Sequence, residues 1–203
     1  MKLYDGGRAP NPRRVRIFLA EKGIEIEKQQ IDIGALEHKG PAYTALNPMQ
    51  QVPTLVLDDG TVITESIAIC RYFEALNPSP AMFGVGALEQ AVVEMWNRRL
   101  EQNLFFPVSQ VFRHPHSAMK KMEVPQVAAW GEANKARVAA FLPILDRQLE
   151  IGPFVCGARY SIADITAVVA IDFMKPAKLA AAPEHRNIAR WHAGISGRTS
   201  AAA

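Results

Sequence analysis

Glu65 and Ser66 stand where a β-branched run gives way to a helical pattern, so a carboxylate and a hydroxyl mark a helix start. Free N–H groups and the helix dipole favour an anion at such a place, and the pair also suits a plain helix cap. Asn11 precedes Pro12 at the head of another helical run. Its amide has two N–H donors, so it reads equally as a cap or as a donor to a ligand. His38-Lys39 sets two cationic or donor groups side by side, suited to a carboxylate. Gln51 supplies an amide, and Val52-Pro53 opens a strand with a proline. Arg8, Arg13, Arg14 and Arg16 crowd the first helical run, which reads either as attraction for an acidic ligand or as a solvated helix face.

The protein's own thiols offer little. Cys70 lies on the apolar stripe Ile67-Cys70-Phe73 and reads as core, and Cys156 has no neighbour that would activate it. There is no C-x-x-C, so dithiol chemistry is excluded. Two distant cysteines form neither a disulfide framework nor a metal quartet, and they fit a reducing cytoplasm. His114-Pro115-His116 has no Cys, Asp or Glu at ligand spacing, so no metal is expected.

These residues need elements to hold them. Lys2-Leu3-Tyr4 reads as a strand, followed by a Gly- and Pro-rich loop over 6–10. Asn11 as N-cap and Pro12 at the first helical position then start a helix with Val15, Phe18 and Leu19 inward, stopped at Gly23. Ile24, Ile26, Ile31 and Ile33 suggest a second strand, and a polar stretch runs on to Asn47-Pro48. Two β-branched runs around Asp58-Asp59-Gly60 read as a hairpin, and a helix follows to Asn77-Pro78. The order is βαβ then ββα, with a right-handed crossover and parallel first strands.

Residues 77–86, with two Pro and two Gly, read as a linker. Helical patterning dominates 87–203: a helix over 87–112, a Pro-interrupted loop at 113–125, and a helix to 150 that Pro143 kinks. Further helices are expected from Ser161, where Ser161 and Asp164 form a capping box, and over 185–197. The expected fold class is therefore α/β over 1–76 followed by an all-α domain over 87–203.

The chain has 203 residues, 49% hydrophobic and 21% charged, with a formal charge of +3. That is ordinary globular usage. The charge is too small and too balanced to demand nucleic acid or an anionic membrane. No apolar run approaches the roughly eighteen residues of a spanning helix, and no secretory signal stands at the start, so a soluble cytoplasmic protein is expected.

The βαβ-ββα order joined to a helical domain resembles the cytosolic glutathione transferase family. Asn47-Pro48-Met49-Gln50-Gln51-Val52-Pro53-Thr54-Leu55 looks like its NP-x-x-x-VP-x-L segment, and Glu65-Ser66-x-Ala68-Ile69 like its E-S-x-A-I segment. Val15-Arg16-Ile17 through Glu21-Lys22-Gly23 is similar to its first helix. Gly157-x-x-Tyr160-Ser161-Ile162-Ala163-Asp164 is similar to its G-x-x-x-S-x-A-D segment. The resemblance spans essentially the whole chain and implies a thioredoxin-like glutathione-binding domain over 1–76. It implies that Ser66 holds the γ-glutamyl carboxylate and Glu65 the ammonium, while Val52, ahead of a cis Pro53, pairs its backbone with the tripeptide. A His-Lys pair at the place of His38 and Lys39 resembles theta-type classes, where it meets the glycyl carboxylate end, and Gln51 adds its amide. Trp96, Arg99, Phe105 and Phe112 are candidates for the acceptor pocket. A homodimer is implied as well.

The catalytic position departs from the pattern. Alignment puts Ala9 where serine-type members carry the hydroxyl that donates to the thiolate, and alanine cannot donate. Tyr4 stands too early for the tyrosine-type classes. Asn11 is the next candidate, and Ala9-Pro10-Asn11 resembles the Thr-Pro-Asn of nu-type members, which reduce disulfides with glutathione. The expected activity is conjugation of glutathione, as co-substrate and without metal, to an electrophilic small molecule. The alternatives are nu-type disulfide reduction, isomerisation of maleylacetoacetate as in zeta-type members, and a non-catalytic binding protein.

Overall fold

Strand β1 (Lys2–Asp5) lies between two partners. It pairs in parallel with β2 (Glu27–Gln30) and antiparallel with β3 (Thr54–Val56), which pairs antiparallel with β4 (Val62–Thr64). The four-stranded order is β2-β1-β3-β4. Helix α1 (Pro10–Glu21) makes the βαβ crossover, and α3 (Ser66–Leu76) follows the hairpin. Leu3 and Leu55 from the strands, Val15 and Phe18 from α1, and Ile69 and Phe73 from α3 are all buried. Burying each such side chain contributes about 1.5–3 kcal/mol.

The computed structural model describes all residues, 1–203. They form two units: Met1–Met82 together with Thr199–Ala203, and Phe83–Arg198. The tail, expected with the helical domain, therefore groups with the first unit. Its short 3-10 turn, Thr199–Ala202, packs on α1, where Arg13 Nη2 donates to the Ala201 carbonyl at 3.3 Å and Ser200 Oγ donates to Glu21.

Two expectations about the element order of the first unit need correction. The second strand is the wholly exposed Glu27–Gln30, with the isoleucines flanking it. It sits at the sheet edge, where ladder hydrogen bonds rather than burial define it. The polar stretch after it contains a 3-10 turn, Glu37–Lys39, and a short helix α2 (Pro41–Leu46) with Pro41 in its first turn.

The second unit holds α4 (Gly86–Leu100), α5 (Phe106–Arg113), α6 (Ala128–Gln148), α7 (Ile162–Met174) and α8 (Arg186–Ser196). Residues 87–112 are not one regular helix, because a π-helical turn, Glu101–Phe105, separates α4 from α5. Pro107 has no N–H for the carbonyl four residues back, and the Phe106 N–H bonds the Glu101 carbonyl five back. Pro143 lies inside α6. Helix α7 is buried on every side from Ile162 to Ala170, as its all-round apolar sequence demands. The capping box forms: the Ser161 N–H and Oγ both donate to Asp164 Oδ2, at 3.0 and 3.2 Å.

Candidate functional site

The β3–β4 hairpin delivers the chain to α3 through Glu65, whose φ of 66° is in the left-handed region. A non-glycine residue held there costs about 1–3 kcal/mol, so the surrounding structure must impose it. The Glu65 side chain is exposed, while Ser66, the first residue of α3, is buried at 5% exposure. The open N–H groups of the first turn and the helix dipole give this point a positive electrostatic character.

Helix α1 supplies the opposite wall. Its N-cap is Ala9, with extended φ and ψ, and Pro10 fills the first helical position. Asn11 is therefore inside the first turn and is not the cap expected from Asn11-Pro12. Proline suits the first position at residue 10 just as well, since the N–H it lacks would bond nothing within the helix. The Ala9 carbonyl accepts the Arg13 N–H at 3.2 Å. Asn11 is exposed, and its Oδ1 accepts from Ser66 Oγ at 3.4 Å. Ser66 Oγ in turn accepts from Arg14 Nη1 at 3.1 Å.

Arg14 corrects the reading of the arginine cluster as a solvated face: it is 1% exposed and among the largest fully buried side chains. The signal was available in the sequence, since Arg14 shares a helix face with Ile17 and Phe18 at i+3 and i+4. Arg16 bonds Asp5 at 2.7 Å. Tyr4 rests its ring edge-on against Tyr43, with centroids 6.1 Å apart.

The third wall is the segment before β3. The Gln51 carbonyl accepts from Asn47 Nδ2 at 2.8 Å and from Tyr43 Oη at 2.7 Å, which fixes the chain where it enters Val52 and the cis Val52-Pro53 bond. Burial pushes the Tyr43 phenol above its ordinary pKa, keeping it a donor. No backbone hydrogen bond within the chain uses the Val52 N–H or C=O. Gly6 lies against this residue so closely that a Cβ there would stand 2.5 Å from Val52 Cγ2. Tyr43 and Asn47 were not singled out as site residues from the sequence; the fixed Asn47-to-Val52 spacing was the available signal.

Asn11, Asn47, Gln51, Val52, Pro53, Glu65 and Ser66 line one cleft, with about 210 Å³ of empty space including open solvent. Six of these are residues the sequence singled out. His38 and Lys39 are not part of that lining; they end the turn Glu37–Lys39, with His38 buried and Lys39 half-buried. The acceptor-pocket candidates pack within the helical unit: Arg99 lies 5.0 Å from the ring of buried Trp96, and Phe105 and Phe112 both meet Phe173. Neither cysteine is primed for attack. Burial drives the Cys70 thiol far above its ordinary value and pushes Cys156 up to about 12.

The groups around this cleft are of the kinds that suit a small zwitterion. A helix N-terminus and hydroxyl suit a carboxylate, an adjacent exposed carboxylate suits an ammonium, and an open backbone edge suits a peptide strand.

Comparison with known proteins agrees with this architecture in both halves. Residues 9–76 match the family model for the glutathione S-transferase N-terminal domain, and residues 128–194 match that for the C-terminal domain. Glutathione S-transferase 2 of Saccharomyces cerevisiae is 35% identical over 203 residues, covering 98% of this chain and 87% of the relative. A solved glutathione S-transferase domain-containing protein of Marinobacter aquaeolei superposes with a TM-score of 0.95 at 34% identity, covering 98% of this chain and 99% of that one. Maleylacetoacetate isomerase of Pseudomonas aeruginosa is 40% identical over 93 residues, covering 45% of this chain and 44% of the relative. With a mixed four-stranded sheet before a helical unit, and likeness running through nearly the full length of two such proteins, the chain belongs to the glutathione S-transferase family.

Proposed function

We propose that the protein is a glutathione S-transferase that joins the glutathione sulfur to the carbon of an electrophilic small molecule. The observation that carries this reading is the convergence of Asn11, Gln51, Val52, Glu65 and Ser66 on one cleft. In this reading Ser66 and the α3 N-terminus take the γ-glutamyl carboxylate, and Glu65 takes the ammonium. Val52 pairs with the peptide backbone ahead of Pro53, Gln51 adds its amide, and His38 and Lys39 meet the glycyl carboxylate end. Asn11, with an N–H donor to spare, faces the thiolate in place of the hydroxyl that Ala9 lacks. The free thiol has a pKa near 8.5, so any donor that favours the thiolate raises the reactive fraction near neutral pH.

The thiolate attacks the electrophilic carbon and the leaving group departs with its electron pair. We assign the protein to the cytoplasm, which its two unpaired thiols suit, and to a homodimer. Sedimentation of the purified chain checks the dimer: a mass of one chain overturns it.

The deciding assay is glutathione-dependent turnover of chlorodinitrobenzene and of hydroxyethyl disulfide, beside calorimetric titration with glutathione. Conjugation of the first substrate supports the proposal. Turnover of the disulfide alone supports the nu-type reductase, and saturable binding without turnover of either supports a binding protein. Isomerisation of maleylacetoacetate is the second reading, favoured by the local likeness to the Pseudomonas aeruginosa enzyme. Ala9 and Asn11 count against it, since the zeta-type members carry Ser and Cys at these places.

A further inference from the structure

We infer that Arg14 is a positioning residue for the ligand carboxylate, acting through Ser66 rather than by touching the ligand; this rests on the glutathione-binding reading above. Arginine can only donate. Its 3.1 Å bond from Nη1 therefore makes Ser66 Oγ an acceptor on the buried side. The hydroxyl has a single proton, and with one lone pair taken by the guanidinium that proton is turned away from the core toward the cleft. There it meets Asn11 Oδ1 at 3.4 Å, a long contact beside the charge-assisted one from Arg14.

An incoming carboxylate is a stronger acceptor than an amide oxygen and takes this proton. Asn11 is then released from Ser66, and its side chain turns to the ligand sulfur. The burial of Arg14, at 1% exposure, keeps its donation from being exchanged for water. The positive charge also lies directly behind the α3 N-terminus, so dipole and guanidinium act on the same carboxylate.

A solvated arginine on this helix would do neither. Arg13 and Arg16 stand either side and bond elsewhere, to the Ala201 carbonyl and to Asp5. Within the cluster it is Arg14 that donates to Ser66, the first residue of α3.

The test is a double-mutant cycle read by calorimetry, with two ligands: glutathione, and its analogue in which the γ-glutamyl α-carboxylate is an amide. Arg14→Met is expected to weaken glutathione binding by about 10-fold or more, the effect of losing a charge-assisted hydrogen bond. It should leave the amide analogue nearly unaffected, add nothing in a Ser66→Ala background, and be partly rescued by Arg14→Lys. A purely structural Arg14 would weaken both ligands alike and add to Ser66→Ala, and that result overturns the inference. Should Arg14→Met not fold, Arg14→Gln runs the same cycle with a smaller expected loss, since it keeps an N–H donor and removes only the charge. Wild-type protein that takes up no glutathione overturns the underlying reading as well. Binding with Arg14 indifferent to the carboxylate overturns this step alone.

Discussion

The Arg14 guanidinium and the Ser66 hydroxyl, 52 positions apart in the chain, meet at 3.1 Å in the buried seam between α1 and α3. The bond ties the wall of the cleft that carries Asn11 to the wall that carries Glu65 and Ser66. Breaking it by removing one partner leaves the other buried without its partner there, which costs more than the bond itself contributes. The geometry of the cleft and the stability of the first unit therefore depend on the same contact.

Asn11→Ala should lower the rate of conjugation and raise the apparent pKa of bound glutathione, read from thiolate absorbance against pH. Asn11→Asp should raise it further, because a carboxylate beside the sulfur opposes a second negative charge. An unshifted pKa in both variants would remove Asn11 from the chemistry.

Gly6→Ala places a methyl 2.5 Å from Val52 Cγ2 and 2.7 Å from Ile33 Cδ1. Overpacking of this kind costs about 1–3 kcal/mol. We expect a lower urea midpoint together with weaker glutathione binding, because the displaced residue is Val52. Lost stability with unchanged affinity would separate Gly6 from the cleft.

Asp164 gives the helical unit a pH dependence of definite sign. Burial raises its carboxyl to about 6, although it accepts from Val155 N–H, Trp191 Nε1 and Ser161. An unfolded Asp titrates near 3.9, so the folded state holds the proton more tightly. The stabilisation from this group is complete below about pH 4 and lost as pH rises through about 6, some 3 kcal/mol at most. Urea unfolding from pH 4.5 to 7 should show this loss in the wild type and not in Asp164→Asn; identical slopes would assign it to another group.

Neither cysteine should react with a disulfide reagent in the folded protein at neutral pH. Cys70 is fully buried with its thiol held protonated, and Cys156 is pushed up to about 12 by burial. Both should react on unfolding in denaturant. Fast labelling of the native protein would contradict this environment, and labelling confined to one residue would identify which.

Much of the architecture is local enough to be read along the chain. The hairpin turn at Asp58-Asp59-Gly60, the helix start at Glu65-Ser66 and the capping box at Ser161 and Asp164 each involve residues within a few positions of one another. Their presence at these positions follows from side-chain and backbone chemistry close by in the chain, although the left-handed backbone of Glu65 is imposed by what surrounds it. The polar strand Glu27–Gln30 is different: an edge strand is defined by the neighbour it pairs with, and its own residues bury nothing. The short helix Pro41–Leu46 escaped for a related reason, having too few residues for a helical period to show.

Which residue types stand at the cleft is legible along the chain, because motif spacing carries Gln51, Val52, Glu65 and Ser66 in order. It took the folded chain to bury Arg14 beneath Ser66, to set Asn11 past the cap rather than on it, and to bring Tyr43 and Asn47 to the Gln51 carbonyl. A buried charge and a shared hydrogen-bond acceptor belong to pairs of residues brought together by folding. Neither is a property of either residue's place in the sequence.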